Sequence, residues 1–176
     1  MARNDVLLED VRILSGGFRH FSGEKDGYHA QGQRDFVIAL EKEVAEQMEA
    51  DGWNIKWLKP REEGDEPLAT LKIKVNFSGF PPQIMLVTSR NKTPLDEETV
   101  AILDYADIET ADMFLSPYDW SVNGNTGRTA YLSKLFVTIH EDELDLKYAD
   151  VPLSNREIEG DMIDAEIVED HLELER

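Results

Sequence analysis

A mainly β chain with two short helices, wrapped as a small antiparallel barrel, is what this sequence predicts. Three observations point that way. Apolar and polar residues alternate along several runs, most plainly over 68–77, where Leu71, Ile73, Val75 and Phe77 interleave with Lys72, Lys74 and Asn76. Turn residues recur between such runs, and only two stretches carry helical spacing. An α/β sheet needs a helix after nearly every strand, so a count of about six to eight strands favours the barrel.

Taken in order, residues 6–14 form a first strand with Val11 and Ile13 on one face and Arg12 on the other. A long polar, Gly-rich arm follows, in which bases alternate with rings: Phe18, Arg19, His20, Phe21, Lys25, Tyr28, His29 and Arg34. Residues 35–40 return as an apolar strand. The next segment places Val44, Ala45 and Met48 at helical spacing, with Gly52 where a left-handed cap belongs. Residues 53–58 suit a short strand with Trp53, Ile55 and Trp57 on one side; 60–67 are a polar loop. After the clear strand at 68–77 and a turn at 79–82, residues 83–88 pair back as a neighbour.

Thr93 and Pro94 open a second short helix, with Asp96, Glu97 and Glu98 complementing its positive end and Val100, Ile102 and Leu103 on its apolar side. A mixed segment from 107 forms a strand ending near Pro117. Residues 123–127 (NGNTG) make a hairpin-type turn into a strand at 128–139. One face of that strand shows Tyr131, Leu135, Val137 and Ile139; the other shows Arg128, Ala130, Leu132, Lys134 and Phe136. Neither face is polar, as for a strand wrapped within a barrel. Small, partly open barrels of the OB type combine this content with an exposed binding face.

The 176 residues bound one domain with a core that needs no staples. There is no cysteine, which excludes disulfides, thiolate zinc sites and Cys nucleophiles. No apolar run approaches the ~20 residues of a membrane span, and the first residues lack the apolar centre of a signal peptide, so a cytoplasmic location is expected. The formal charge of −19 argues against contact with phosphates, but it is unevenly placed. Residues 141–176 hold 14 acids and 3 bases, against 23 and 15 in 1–140. The expected organisation is a barrel domain at 1–152 and an acidic tail at 153–176, self-repelling and disordered when alone.

No phosphate-cradling loop or dinucleotide fingerprint is present. The four histidines are far apart in sequence, and Ser22, Ser78 and Ser116 lack a nucleophile elbow. His140-Glu141-Asp142 resembles a divalent-metal donor set, but an acidic strand end leading into an acidic tail is expected anyway and is the favoured reading. No catalytic residue, metal or cofactor is assigned.

A binder remains. Its candidate nucleic-acid-contacting residues are Arg12, Phe18, Arg19, Phe21, Lys25, Tyr28 and Arg34 from the first strand and arm; Lys56, Lys72, Lys74, Arg90 and Lys92; and Tyr118, Trp120, Arg128 and Lys134 around the last hairpin. Exposed rings interleaved with cations suit a single strand, whose bases can be stacked upon. The competing reading folds Phe18, Phe21 and Tyr28 under the arm as a satellite core. Lys72 and Lys74 also serve plain solvation of an outer face. Trp53 and Trp57 fit a core role, whereas Tyr118 and Trp120 beside a Gly-rich turn fit stacking.

The segments GFRHFSGEKDGYHAQGQRDFVIAL, EVAEQMEADGWNIKWLKPREEGDEP, TPLDEETV, PYDWSVNGNTGRTAYL and VTIHEDEL resemble single-stranded-DNA-binding proteins of bacteriophages and prophages, over roughly residues 5–152. The resemblance implies an OB-like fold that coats transient single strands in phage replication and recombination, in the host cytoplasm. It further implies an acidic C-terminal tail that recruits replication or recombination proteins and competes with DNA. Residues 157–176, with nine acids and one base, match in charge, but they close on Leu174-Glu175-Arg176 where related tails often end in an aromatic residue. A homodimer is compatible with the chain. Two rivals stand beside this reading: an acidic interaction protein or DNA mimic, and a small metal-dependent nuclease around His140.

Overall fold

The computed structural model describes residues 5–152, divided between one unit ending at Glu141 and a second beginning at Asp142. In the first unit nine strands join in a single sheet. They are β1 (Val6–Ile13), β2 (Arg19–His20), β3 (Arg34–Leu40), β4 (Ile55–Leu58), β5 (Leu68–Val75), β6 (Gln83–Val87), β7 (Lys92–Leu95), β8 (Ile108–Val122) and β9 (Asn125–Ile139).

Five of them close on themselves. β1 pairs antiparallel with β3 and β8, β3 with β5, and β8 with β9. The ring is completed by a parallel contact of β5 with β9 at only two residue pairs, Ile73 with Ala130 and Lys74 with Tyr131. This cyclic order, with one parallel junction between the third and fifth barrel strands, is that of a partly open OB-like barrel. Inward alternation fills it: Phe36, Ile38, Leu71, Ile73, Met113, Leu115 and Leu135 are all buried. Helix α1 (Lys42–Ala50) seats Ala45 and Met48 on this core, and Gly52 takes φ +99° beyond its end. Trp53 is buried, and half-buried Trp57 donates its indole N–H to Glu49 at 3.2 Å, so both tryptophans belong to the packing around α1.

Several element expectations are corrected. Residues 83–87 do not return beside β5; β6 pairs in parallel with β9 and antiparallel with β7. Lys92–Leu95 is a strand, not the start of a helix: Pro94 faces Met85 on the edge strand β7, where its missing N–H costs no ladder bond. The helical turn comes later, as a 3-10 segment at Val100–Asp104 that buries Val100 and Leu103 but leaves Ile102 exposed. β8 runs through Pro117 to Val122 and meets β9 across a two-residue Asn123-Gly124 turn, both at positive φ. On β9, Leu132 faces Leu115 while Lys134 faces Phe114, so Ser133 is the extra residue of a bulge. The bulge flips the alternation. Ala130 and Leu132 point inward before it, Leu135 and Val137 after it, and Tyr131 is therefore not on the face of Leu135.

The second unit contains α2 (Glu143–Lys147), started by a reciprocal capping box between Asp142 and Asp145. Sequence periodicity did not anticipate this short helix. The acidic tail expected at 153–176 lies outside the described residues. Among the described residues no helix is long and apolar enough to cross a membrane.

Candidate nucleic-acid interface

The outward faces of β3, β5 and β9 are continuous. Across β3 and β5, Asp35 faces Lys74 and Val37 faces Lys72, while Lys74 lies opposite Tyr131 of β9. The arm borders this face on one side and the β8–β9 hairpin on the other. Beside the arm is a depression of about 520 Å³ whose walls include Phe18, Tyr28, His29, Lys56 and Lys72. Beside the hairpin is one of about 390 Å³ whose walls include Lys72, Lys74, Tyr118, Trp120 and Tyr131. Asn54 and Lys72 line both, so the two form a single groove. Its rings are available: Phe18 is 44% exposed, Tyr28 92%, Tyr118 58% and Trp120 37%. Three lysines and four open rings on one surface can hold a polyanion by phosphate contact and by stacking.

Local hydrogen bonds set these rings in place. Asp26 Oδ1 accepts from the Tyr28 and His29 amides at 2.7 and 2.6 Å, a turn that holds Tyr28 at the tip of the arm. Those bonds, the Tyr28 amide first, keep the Asp26 carboxyl below its ordinary pKa. Trp120 packs against Gly127, where a Cβ would come within 2.5 Å of the indole, so only glycine leaves room for that pose. Tyr118 meets Tyr131 edge-on at 6.0 Å between ring centroids.

Residues 1–175 match the family "Putative phage ssDNA-binding domain". The chain belongs to this family. No curated protein matches it. Among solved structures, a C-terminally truncated single-stranded DNA-binding protein from bacteriophage Enc34 superposes with a TM-score of 0.50 at 14% identity, over 78% of this chain and 87% of that one. The Enc34 protein in complex with ssDNA gives 0.48 at 13% identity, over 81% and 94%. The single-stranded DNA-binding protein encoded by bacteriophage T7 gives 0.38 at 14% identity, over 88% and 100%. At such identities the first likeness speaks for the fold.

Several candidates in this member of the phage ssDNA-binding family have other duties. Phe21 is fully buried and stacks on Phe36 at 4.9 Å, so it belongs to the core and cannot receive a base. The satellite-core reading thus holds for Phe21 and fails for Phe18 and Tyr28. Arg19 donates to the carbonyls of Leu14, Ala106 and Leu103 at 3.0, 2.7 and 3.3 Å, which ties the arm to the 3-10 segment. Partial burial lowers its pKa from the usual arginine value, against the opposing pull of Asp104 and Asp107. Asp104 grips the same stretch, accepting from the Phe21 and Ser22 amides. Arg34 grips it from the other side through the carbonyls of Phe21 and Ser22, with its guanidinium 5.1 Å from the Phe77 ring. These two arginines build the arm and are not groove cations.

Arg128 sits beside Trp120 in an adjoining depression. Its Nε donates to Asp119 at 2.7 Å and its guanidinium covers the Trp53 ring at 5.6 Å. The bond with Asp119 raises the Arg128 pKa and lowers that of Asp119, so much of this positive charge is locally offset. Arg12 lines a separate cleft between β1 and α1. Lys25 is exposed on the arm, Arg90 and Lys92 lie at the β6–β7 hairpin, and Lys134 lies past the β9 bulge, its Nζ 5.9 Å from the Phe136 ring. None of these five residues lines the groove. Asn54 and Tyr131 do line it without having been anticipated; the bulge hid Tyr131, and a lone Asn carries no pattern.

The proposed metal donors around His140 are otherwise engaged. Glu141 accepts from the Ser89 amide and hydroxyl at 2.7 and 3.1 Å, and Asp142 caps α2. His20 and His29, distant by sequence pattern, are instead stacked in the arm. Burial works against charge on His29, but its bonds to Asp26 and Asp35 outweigh that and raise its pKa.

Proposed function

We propose that this chain binds single-stranded DNA without sequence preference, the strand crossing the outer face of β3, β5 and β9. Bases stack on Phe18, Tyr28, Tyr118 and Trp120, and phosphates lie near Lys56, Lys72 and Lys74. The observation that carries this reading is the convergence of open rings and lysines on one groove, in a chain of a family defined by ssDNA binding. In an OB-type barrel this face, between the first and last loops, is where oligonucleotides lie. The role is that of a coat for transient strands during phage replication and recombination in the host cytoplasm, a binder and not a catalyst. Residues 157–176 act as a tethered polyanion that competes for the groove and recruits replication or recombination proteins.

A titration of fluorescent oligo-dT of several lengths, at two salt concentrations and against duplex DNA, tests the reading. Single strands bind, duplex binds less, and affinity falls with salt. Absence of any oligonucleotide binding would favour the acidic mimic. Magnesium-dependent loss of the labelled strand would favour a nuclease.

A further inference from the structure

Folding brings His20 and His29 face to face, with ring centroids 3.8 Å apart and planes within 9° of parallel. Each ring has one nitrogen committed to an acceptor. His20 Nε2 lies 2.8 Å from the Glu24 carbonyl, which can only accept, and His29 Nε2 lies 3.2 Å from Asp35 Oδ1. A neutral ring with its hydrogen on Nε2 then presents a bare lone pair at Nδ1. Both Nδ1 atoms face one carboxylate: His29 Nδ1 is 3.0 Å from Asp26 Oδ1, and His20 Nδ1 is 3.5 Å from Asp26 Oδ2. In that tautomer three acceptors converge with no donor among them.

A second shortage of positive charge lies behind them. The Asp35 side chain is only 7% exposed, and its Oδ2 has no hydrogen-bond partner. Protonating His29 alone gives Asp26 and Asp35 one donor each but leaves His20 Nδ1 facing Asp26 Oδ2 and Asp35 Oδ2 without a partner. Protonating both rings sets two imidazolium cations face to face at 3.8 Å. One divalent cation would serve the same acids without that repulsion.

We propose that His20 Nδ1, His29 Nδ1 and the Asp26 carboxylate form a binding site for one zinc-class divalent metal ion within the arm. The donor set of two imidazoles and a carboxylate suits zinc or its first-row neighbours over magnesium or calcium, which prefer all-oxygen shells. The three ligand atoms already lie within 4.8 Å of one another. Glu24 and Asp35 supply the carbonyl and carboxylate that metal-bound histidines use to fix their outer N–H. Since an imidazole lone pair lies in the ring plane, no ion can sit in both planes of a parallel stack. Binding turns one ring out of the stack, while Asp26, its side chain 42% exposed, keeps Oδ1 on the Tyr28 and His29 amides and offers Oδ2.

The full chain, stripped of metal with a chelator, is titrated with cobalt(II) and then with zinc(II). The expected result is one cobalt per chain with visible absorption of a low-symmetry nitrogen–oxygen site, displaced by zinc, and a rise in Tm on adding zinc. Asp26→Asn keeps an oxygen for the Tyr28 and His29 amides, so its metal-free Tm stays near that of the parent. It loses cobalt affinity at least about tenfold, as does His29→Gln, and Asp35→Asn loses about 10–100-fold through the ring it orients. Failure to bind cobalt stoichiometrically overturns the site. So does unchanged binding in both Asp26→Asn and His29→Gln, which would put the metal on acidic residues elsewhere, such as those around His171.

Discussion

Tyr28 and Phe21 stand seven positions apart on one arm and do opposite things. Tyr28 is open at the arm's tip, and Phe21 is sealed against Phe36. Tyr28→Ala and Trp120→Ala should each weaken oligo-dT binding by about 1–3 kcal/mol while leaving the urea midpoint unchanged. Phe21→Ala should instead cost about 3–5 kcal/mol of folding stability through the cavity it leaves, seen as a lowered urea midpoint. Arg19 separates charge from contact in the same way. Its bonds to three carbonyls predict that Arg19→Ala destabilises the fold by about 1.5–3 kcal/mol and leaves the salt slope of DNA binding unaltered. A changed slope with an unchanged melt would return Arg19 to the groove. Composition could list these rings and bases but could not sort them, because a ring's side depends on what folds over it.

At the scale of elements, β5 is the most legible part of the chain and the centre of the groove. Its alternation put Lys72 and Lys74 outward, and both line the groove. Lys72→Gln and Lys74→Gln should each lower the slope of log K against log salt by about 0.7, the value for one phosphate of a single strand. Equal slopes for parent and double variant would leave these lysines as mere solvation. β7 and β9 were less legible. Thr93-Pro94 followed by three acids satisfies helix-start chemistry, yet pairing with β6 wins because tertiary contact overrides local preference. The Ser133 bulge shifts the phase of β9 by one residue, and a strict period of two cannot see that.

For the whole molecule the question is how a chain of net charge −19 approaches a polyanion. The excess is concentrated: residues 157–176 alone carry nine acids and one base. Deleting those residues should tighten single-strand binding at low salt, and the difference should shrink as salt screens the tethered competitor. Equal or weaker binding by the truncated chain at low salt would refute that competition.

By itself the sequence determined the strand-rich class, the exposed lysines of β5, a hairpin turn somewhere within 123–127 and the lopsided charge. All of these follow from local chemistry: period, turn residues and composition. Tertiary structure alone decided that Phe21, Arg19 and Arg34 serve the arm's own architecture, that Tyr131 and Asn54 join the groove, and that His20 and His29 meet over Asp26. Those outcomes depend on which distant segment lies against which. Ring closure through β5 and β9 fixes that choice, and no window of neighbouring residues contains it.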